Sequence, residues 1–303
     1  MTGPQLRPLG VGEIVDAAIK LVLANARVLF SISAIVLIPL GLAQGLVTAF
    51  GLPDQLQFFE SLTVDQTVTQ EEAEEMLSNA FQLLALGVGI LIITGLGTVL
   101  VQGATAKALA DVYQGAEPTW QDSIQFGFRR FFPILGATIL IYTAASVGLL
   151  FYLAPGIWLF TSWSVAIPAL VVENKGPVQA MGRSFELVRH RFWPVLGAVS
   201  LTYLVFFAFG QIISLITSAI TFTGGTTTTS ADLWVSTVGS TIRSVLVLPF
   251  LAAVLIVLYF DLRVRAEGYD LQVMAAEMHQ IQPSALPPTE PDHPFGLGSP
   301  GRE

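Results

Sequence analysis

The chain has 303 residues, of which 53% are hydrophobic and only 12% charged, and its formal net charge is −8. Soluble domains carry about a quarter charged residues, so this composition lacks the polar surface of a water-facing globule, and it has no basic excess to favour nucleic acid. There is no cysteine, which excludes disulfides, thiolate metal sites and cysteine nucleophiles without identifying a compartment.

Six apolar runs meet the roughly 20 residues that a helix needs to cross hydrocarbon: 28–50, 80–106, 131–153, 155–172, 195–222 and 236–260. They are aliphatic and lack the period-two alternation of a membrane β-barrel. The expected fold is all-α, a polytopic membrane protein with six transmembrane helices in a membrane domain over 1–265. The first run is too long for the core of a signal peptide, so no cleavable signal is expected.

In chain order, residues 11–25 form a first amphipathic helix, with Val11, Val15, Ala18 and Val22 on one face and Glu13, Asp16 and Lys20 on the other. Arg27 closes it and span one begins, with Pro39 inside as a kink site. The Gln/Glu-rich piece TVTQEEAEEMLSNAF reads as a helix entering span two, capped by Thr69. Span two is dense in small residues (Gly87, Gly89, Gly95, Gly97, Gly103, Ala104). Small side chains let helices approach closely in lipid, which predicts that span two is the buried helix of the bundle. Lys107 and Asp111, one turn apart, are spaced to pair.

A second amphipathic helix is expected over 119–130, with Thr119 and Asp122 as a capping box and Trp120, Ile124 and Phe128 sharing a face with Phe131. Span three then turns at FYLAPGI into span four, which carries Pro168 and ends in the polar turn Glu173-Asn174-Lys175. A third amphipathic helix covers 177–191. Val178, Met181, Phe185, Val188 and Phe192 fall on one side, and Gln179, Arg183, Glu186, Arg189 and His190 on the other. The motif RFFPILG (130–136) returns as RFWPVLG (191–197), with a weaker echo at Arg27. These matches predict a threefold pseudo-repeat, each unit an interfacial helix followed by a two-span hairpin. Span six contains Arg243 and Pro249, and the tail over 266–303 is read as a short helix (Leu271, Met274, Met278) followed by Pro/Gly-rich disorder.

Every Lys and Arg except Arg243 falls on the side of the termini, while the opposite loops near 51–79 and 223–235 hold none. The positive-inside rule therefore predicts a multi-pass cell (inner) membrane protein with both termini cytoplasmic.

The stretches LRPLGVGEIVDAAIKL, VVENKGPVQAMGRSFELVRHRFW and YFDLRVRAEGYDL resemble an uncharacterised group of bacterial, largely actinobacterial, membrane proteins labelled as the glycerophosphoryl diester phosphodiesterase membrane domain. The resemblance runs from about Leu6 to Leu271 and its motifs are structural. In two-part members of that group, such a membrane region accompanies a separate catalytic TIM barrel of roughly 250 residues. The expectation here is a membrane domain without that enzyme, so the resemblance implies no catalytic residue.

No enzyme motif stands out: there is no GxSxG elbow, Walker loop or zinc pattern. His190, His279 and His293 belong to no metal-spaced cluster. Neither catalysis nor a cofactor is expected. Arg129, Arg130, Arg183, Arg189 and Arg191 are candidates to meet anionic lipid headgroups on the cytoplasmic side. Arg243 is the candidate intramembrane charge, either snorkelling to headgroups or facing an anionic ligand. Two functions remain: a structural, accessory or lipid-interacting membrane module, and a small transporter of lipids or hydrophobic solutes, for which Pro39, Pro168 and Pro249 would break helices.

Overall fold

A computed structural model of the chain describes residues 9–51, 70–221 and 230–267. All regular structure in these residues is α-helical. The helices are α1 (Val11–Ala24), α2 (Ala26–Gly51), α3 (Gln70–Tyr113), α4 (Trp120–Arg129), α5 (Phe131–Phe151), α6 (Leu153–Ser162), α7 (Ala166–Val172), α8 (Pro177–Arg189), α9 (Phe192–Thr221) and α10 (Ser230–Glu267). Six helical segments are long and apolar enough to cross a membrane, with α6 and α7 together making the fourth. Thr69, the loop TGGTTTT and the tail beyond Glu267 lie outside the described residues.

The helix expected ahead of span two is the opening of α3 itself, which runs unbroken for 44 residues. At 1.5 Å per residue that is about 66 Å, more than twice the roughly 30 Å hydrocarbon thickness. The helix α10 likewise continues past the predicted boundary to Glu267. Both α2 and α10 pass through their prolines, Pro39 and Pro249, without interruption.

Span four does break, at Trp163–Val165, one turn before Pro168. The cause is local. Pro168 has no N–H for the Ser164 carbonyl and its ring collides with it, whereas inside the first turn of a new helix the missing donor costs nothing. The Ala166 N–H turns to Trp163 O (3.1 Å), which leaves the Ser162 carbonyl to be satisfied from elsewhere. The buried Ser184 hydroxyl on α8 donates to it at 2.8 Å. Removing a partner from a buried polar group costs about 1–3 kcal/mol. Ser184→Ala should therefore lower the unfolding midpoint in detergent, and an unchanged midpoint would show that water replaces the hydroxyl.

The buried helix is α10, not span two. Of the most apolar window in α10, 61% is buried, against 22% in span two. The glycines that suggested otherwise divide by depth. A Cβ built on Gly87, Gly89 or Gly95 meets no described atom within 4 Å, whereas Gly97 and Gly103 receive Leu40 and Ile134. Equally close approaches bind α10 to its neighbours. Gly41 and Gly45 of α2 receive Thr241 and Trp234, and Gly239 of α10 receives Thr217 of α9. In lipid, apolar burial adds little drive between helices, so this close packing carries the association. From Ala252 to Leu262 α10 is almost wholly enclosed. Tyr259 and Phe260 are fully buried, and Phe260 stacks on Tyr113 with ring centroids 4.4 Å apart.

A short helix precedes a long one three times, as α1–α2, α4–α5 and α8–α9. In the second and third, the arginine of the shared motif sits in the same place: Arg130 O and Arg191 O accept from the N–H of Ile134 (3.0 Å) and Val195 (3.1 Å), with proline in the first turn. In the first, Asn25 O takes that role, and the return legs of the three units differ in length and continuity. The threefold repeat therefore rests on the sequence echo. Thr119 caps α4 as read from sequence, its Oγ1 accepting from Asp122 N–H at 3.3 Å, but the return bond to Asp122 Oδ2 (2.6 Å) comes from the Thr119 hydroxyl rather than from the backbone N–H of a capping box.

The faces of the short helices differ from the two-sided reading. In α4 the bundle receives Ser123 and Gly127, while Trp120 and Phe128 are exposed. In α8 it receives Ala180, Ser184, Leu187 and Val188, and Val178 is 72% exposed. A helix lying on a membrane meets two environments. Here the protein side takes small residues together with Leu187 and Val188, and Trp120, Phe128 and Val178 face outward.

Candidate functional site

Two polar regions stand out, one at each end of the bundle. At the first, the turn after α7 places Glu173 at the centre of a charge cluster. The turn passes through Asn174 at φ 55°, a left-handed conformation that asparagine tolerates better than most residues. Glu173 Oε1 accepts from Arg183 Nε at 2.8 Å and from the Tyr259 hydroxyl at 2.7 Å, and its Oε2 pairs with Lys175 Nζ at 2.5 Å. Arg183 also pairs with Glu267, whose other oxygen accepts from Arg263 Nε at 3.0 Å. Burial by itself would raise the Glu173 carboxyl. Hydrogen bonds from Lys175, Arg183 and Tyr259 prevail and hold its pKa down at about 2. Burial likewise works against the charge of Arg183, yet its hydrogen bonds to Glu173 and Glu267 raise its pKa. Groups held this firmly in their charged forms are poor proton carriers near neutrality. The cluster ties α7, α8 and α10 together.

Beside it, the chain entering α1 is clasped to the end of α10. Leu9 N–H donates to Asp261 Oδ1 at 2.7 Å, and Arg265 bridges Asp261 Oδ2 (2.9 Å) and Leu9 O (2.7 Å). The N-terminal stretch and the exit of α10 therefore share one end of the bundle.

The predicted headgroup arginines separate into two kinds. Arg183 is only 13% exposed in its side chain and is engaged with Glu173, Glu267 and Glu186. Arg129, Arg189 and Arg191 are exposed and Arg130 is half-buried; none of the four has an ion pair among the described residues. Arg189 Nε donates to Nδ1 of the exposed His190 at 3.4 Å. Around them Phe128, Phe132 and Trp193 stand 63%, 79% and 76% exposed. Arg191 also lines a cavity of about 280 Å³ with Pro194, Leu258, Asp261 and Arg265. The Lys107–Asp111 pair forms on α3 as its spacing predicts.

Arg243 occupies the opposite end. It lies about 27 Å along α10 from Asp261 at 1.5 Å per residue, close to one hydrocarbon thickness. Its stem crosses α9 at Gly210, where a Cβ would come within 3.1 Å of Arg243 Cδ. It lines two cavities. One, of about 250 Å³, lies between α2, α3 and α10 and includes Gln44, Thr94, Thr98, Ser240, Thr241 and Ser244. The other, of about 180 Å³, lies between α9 and α10 and includes Ser214, Thr217, Ser218 and Ser236. The sequence reading singled out Arg243 but missed this hydroxyl lining. The Ser/Thr spacing along α10 (236, 237, 240, 241, 244) was its available signal.

Among the described residues no group of three or more His, Asp or Glu is placed to hold a metal ion. Comparison of the chain with protein-family models, with curated proteins and with solved structures gives no match.

Proposed function

We propose that this chain is a non-catalytic, multi-pass protein of the cell (inner) membrane, with cytoplasmic termini, that engages anionic lipid headgroups at its basic end as an accessory or structural module. The observation that carries the reading is the contrast among its arginines. Arg183, Arg263 and Arg265 are committed to internal carboxylates, while Arg129, Arg130, Arg189 and Arg191 stand beside outward-facing aromatic rings with no carboxylate partner among the described residues. Each basic residue near an anionic surface contributes on the order of 1 kcal/mol, and aromatic rings favour the headgroup level. The resemblance to the phosphodiesterase membrane domain fits this role as an anchor region.

A second reading, a small transporter of lipids or hydrophobic solutes, draws on Arg243 between its two cavities and on the break in span four. One reconstitution addresses both. Wild-type protein in vesicles of mixed phosphatidylglycerol and phosphatidylcholine should retain the anionic lipid on extraction. Arg129→Gln/Arg130→Gln/Arg189→Gln/Arg191→Gln should retain about tenfold less, and neither protein should accelerate movement of labelled lipid between leaflets. Undiminished retention by the quadruple variant would remove the headgroup reading; lipid flux abolished by Arg243→Ala would establish the transporter instead.

A further inference from the structure

We infer that the paired cavities around Arg243 form a binding site for one anionic lipid headgroup that also bears hydroxyl groups, in the leaflet opposite the Glu173 charge cluster. The inference extends the lipid-interacting reading to a second, distinct site.

The first observation is placement. Arg243 is set about one hydrocarbon thickness from Asp261 along a single unbroken helix, so it stands at the level where headgroups of the far leaflet begin. Every other described arginine belongs to the opposite end of the bundle or its flanks. Arg243 has no carboxylate partner among the described residues. A guanidinium presents five N–H donors in a fixed fork that suits a phosphate.

The second observation is the chemistry of the walls. In the larger cavity, the hydroxyls of Thr94, Thr98, Ser240, Thr241 and Ser244 donate to backbone carbonyls of their own helices at 2.8–2.9 Å, three or four residues back. Their protons are thereby committed to the helices, and their lone pairs are what they offer to a guest. A ring of acceptors around one strong cationic donor does not suit a bare anion, which would meet lone pairs on every side but one. It suits a group that accepts from Arg243 and donates to the hydroxyl oxygens, as a phosphate ester with free hydroxyls does. Gln44 adds an amide able to serve either need.

The third observation is fit. Each of the two cavities is smaller than a typical small-molecule pocket of roughly 300–1,000 Å³, so they suit a headgroup rather than a whole amphiphile. Ile242 and Val238, one turn apart on α10 beside Arg243, are half exposed and apolar, which provides a surface for the chain attached to that headgroup. Gly210 lets the arginine stem lie against α9 and keeps the guanidinium between the two cavities.

The test uses the full chain in nanodiscs and reads bound lipid by native mass spectrometry. Three probes are supplied separately: phosphatidylglycerol, phosphatidic acid, which lacks the extra hydroxyls, and inorganic phosphate. Wild type should hold phosphatidylglycerol about tenfold better than phosphatidic acid and should not release it to millimolar inorganic phosphate. In the background of Arg129→Gln/Arg130→Gln/Arg189→Gln/Arg191→Gln, where the basic end no longer contributes, Arg243→Gln should lose about tenfold of the remaining phosphatidylglycerol while keeping its unfolding midpoint. Thr94→Val/Thr241→Val, which keeps the charge and the volume, should lose the preference for phosphatidylglycerol over phosphatidic acid. Equal retention of the two lipids by wild type would mean that Arg243 merely snorkels, and displacement by inorganic phosphate would assign the site to a free anion; either outcome overturns the inference. The same measurements on the quadruple variant of Arg129, Arg130, Arg189 and Arg191 separate this site from the basic end, since that variant keeps the Arg243 site intact.

Discussion

Arg183→Ala is expected to destabilise the detergent-solubilised protein by roughly 3 kcal/mol, the scale seen when one member of a buried ion pair is removed. At about 2–4 °C per kcal/mol for a chain of this size, the unfolding midpoint should fall by about 6–12 °C. The size of the effect follows from what the side chain joins: deleting it takes one cationic partner at once from Glu173 on the turn after α7 and from Glu267 at the end of α10. The double variant Glu173→Gln/Arg183→Met should recover part of the loss, because removing both partners leaves less unpaired charge. A midpoint within 2 °C of wild type for Arg183→Ala would show that solvent screens the cluster. Acid provides an independent check. The Glu173 pKa is depressed from 4.5 to about 2, so its contribution is fully present above pH 4.5 and disappears as pH falls toward 2. Wild type should lose stability across that window, and Glu173→Gln should lack that part of the acid response.

Gly156→Ala should be the most damaging glycine substitution in the bundle. The α5–α6 hairpin closes with Gly148 and Gly156 in contact, and a Cβ on Gly156 would sit 2.3 Å from Leu149 Cγ and 2.7 Å from the Leu149 backbone nitrogen. A flexible side chain can give way but a backbone nitrogen cannot, so the hairpin must open. Overpacking of this kind costs typically 1–3 kcal/mol, and here it outweighs the gain of up to about 1 kcal/mol that alanine brings to a helix interior. Gly89→Ala is the control: with no described atom within reach, it should leave stability unchanged or raise it slightly. If both variants unfold at the same temperature, the α5–α6 contact is looser than its geometry states.

The six crossings were legible because twenty consecutive apolar residues have few other uses, and local signals survived as well. The Thr119–Asp122 cap and the Lys107–Asp111 pair lie within one helical turn and carry their own partners. What sequence hid was partnership across distance. Glu173 and Tyr259 stand 86 residues apart, and nothing in either neighbourhood announces the other. Arg183 reads from sequence as a headgroup contact because its helical stripe is polar, yet its guanidinium turns inward to Glu173 and to Glu267 of α10 while the rest of that stripe stays exposed. The small residues of span two misled for a related reason: a glycine signals that close approach is allowed, and only the neighbouring helix decides whether it happens. It happens at Gly97 and Gly103 but not at Gly87, Gly89 or Gly95, and also at Gly41 and Gly45, less conspicuous in span one. The hydroxyl-lined surroundings of Arg243 are hard to read from sequence because their hydroxyls come from three helices, α3, α9 and α10, each contributing residues that alone read as ordinary helix-tolerant serine and threonine.

Because the enclosed helix is the last of the six described spans, it leaves the ribosome after every helix that surrounds it. Synthesis runs at about 5–20 residues per second, so α2, α3 and α9 wait for several seconds in the bilayer with the surfaces meant for α10 uncovered. A nascent chain stopped before Ser230 would carry five crossings and no centre. The described bundle is therefore complete only once α10 has arrived and Leu9 has closed onto Asp261.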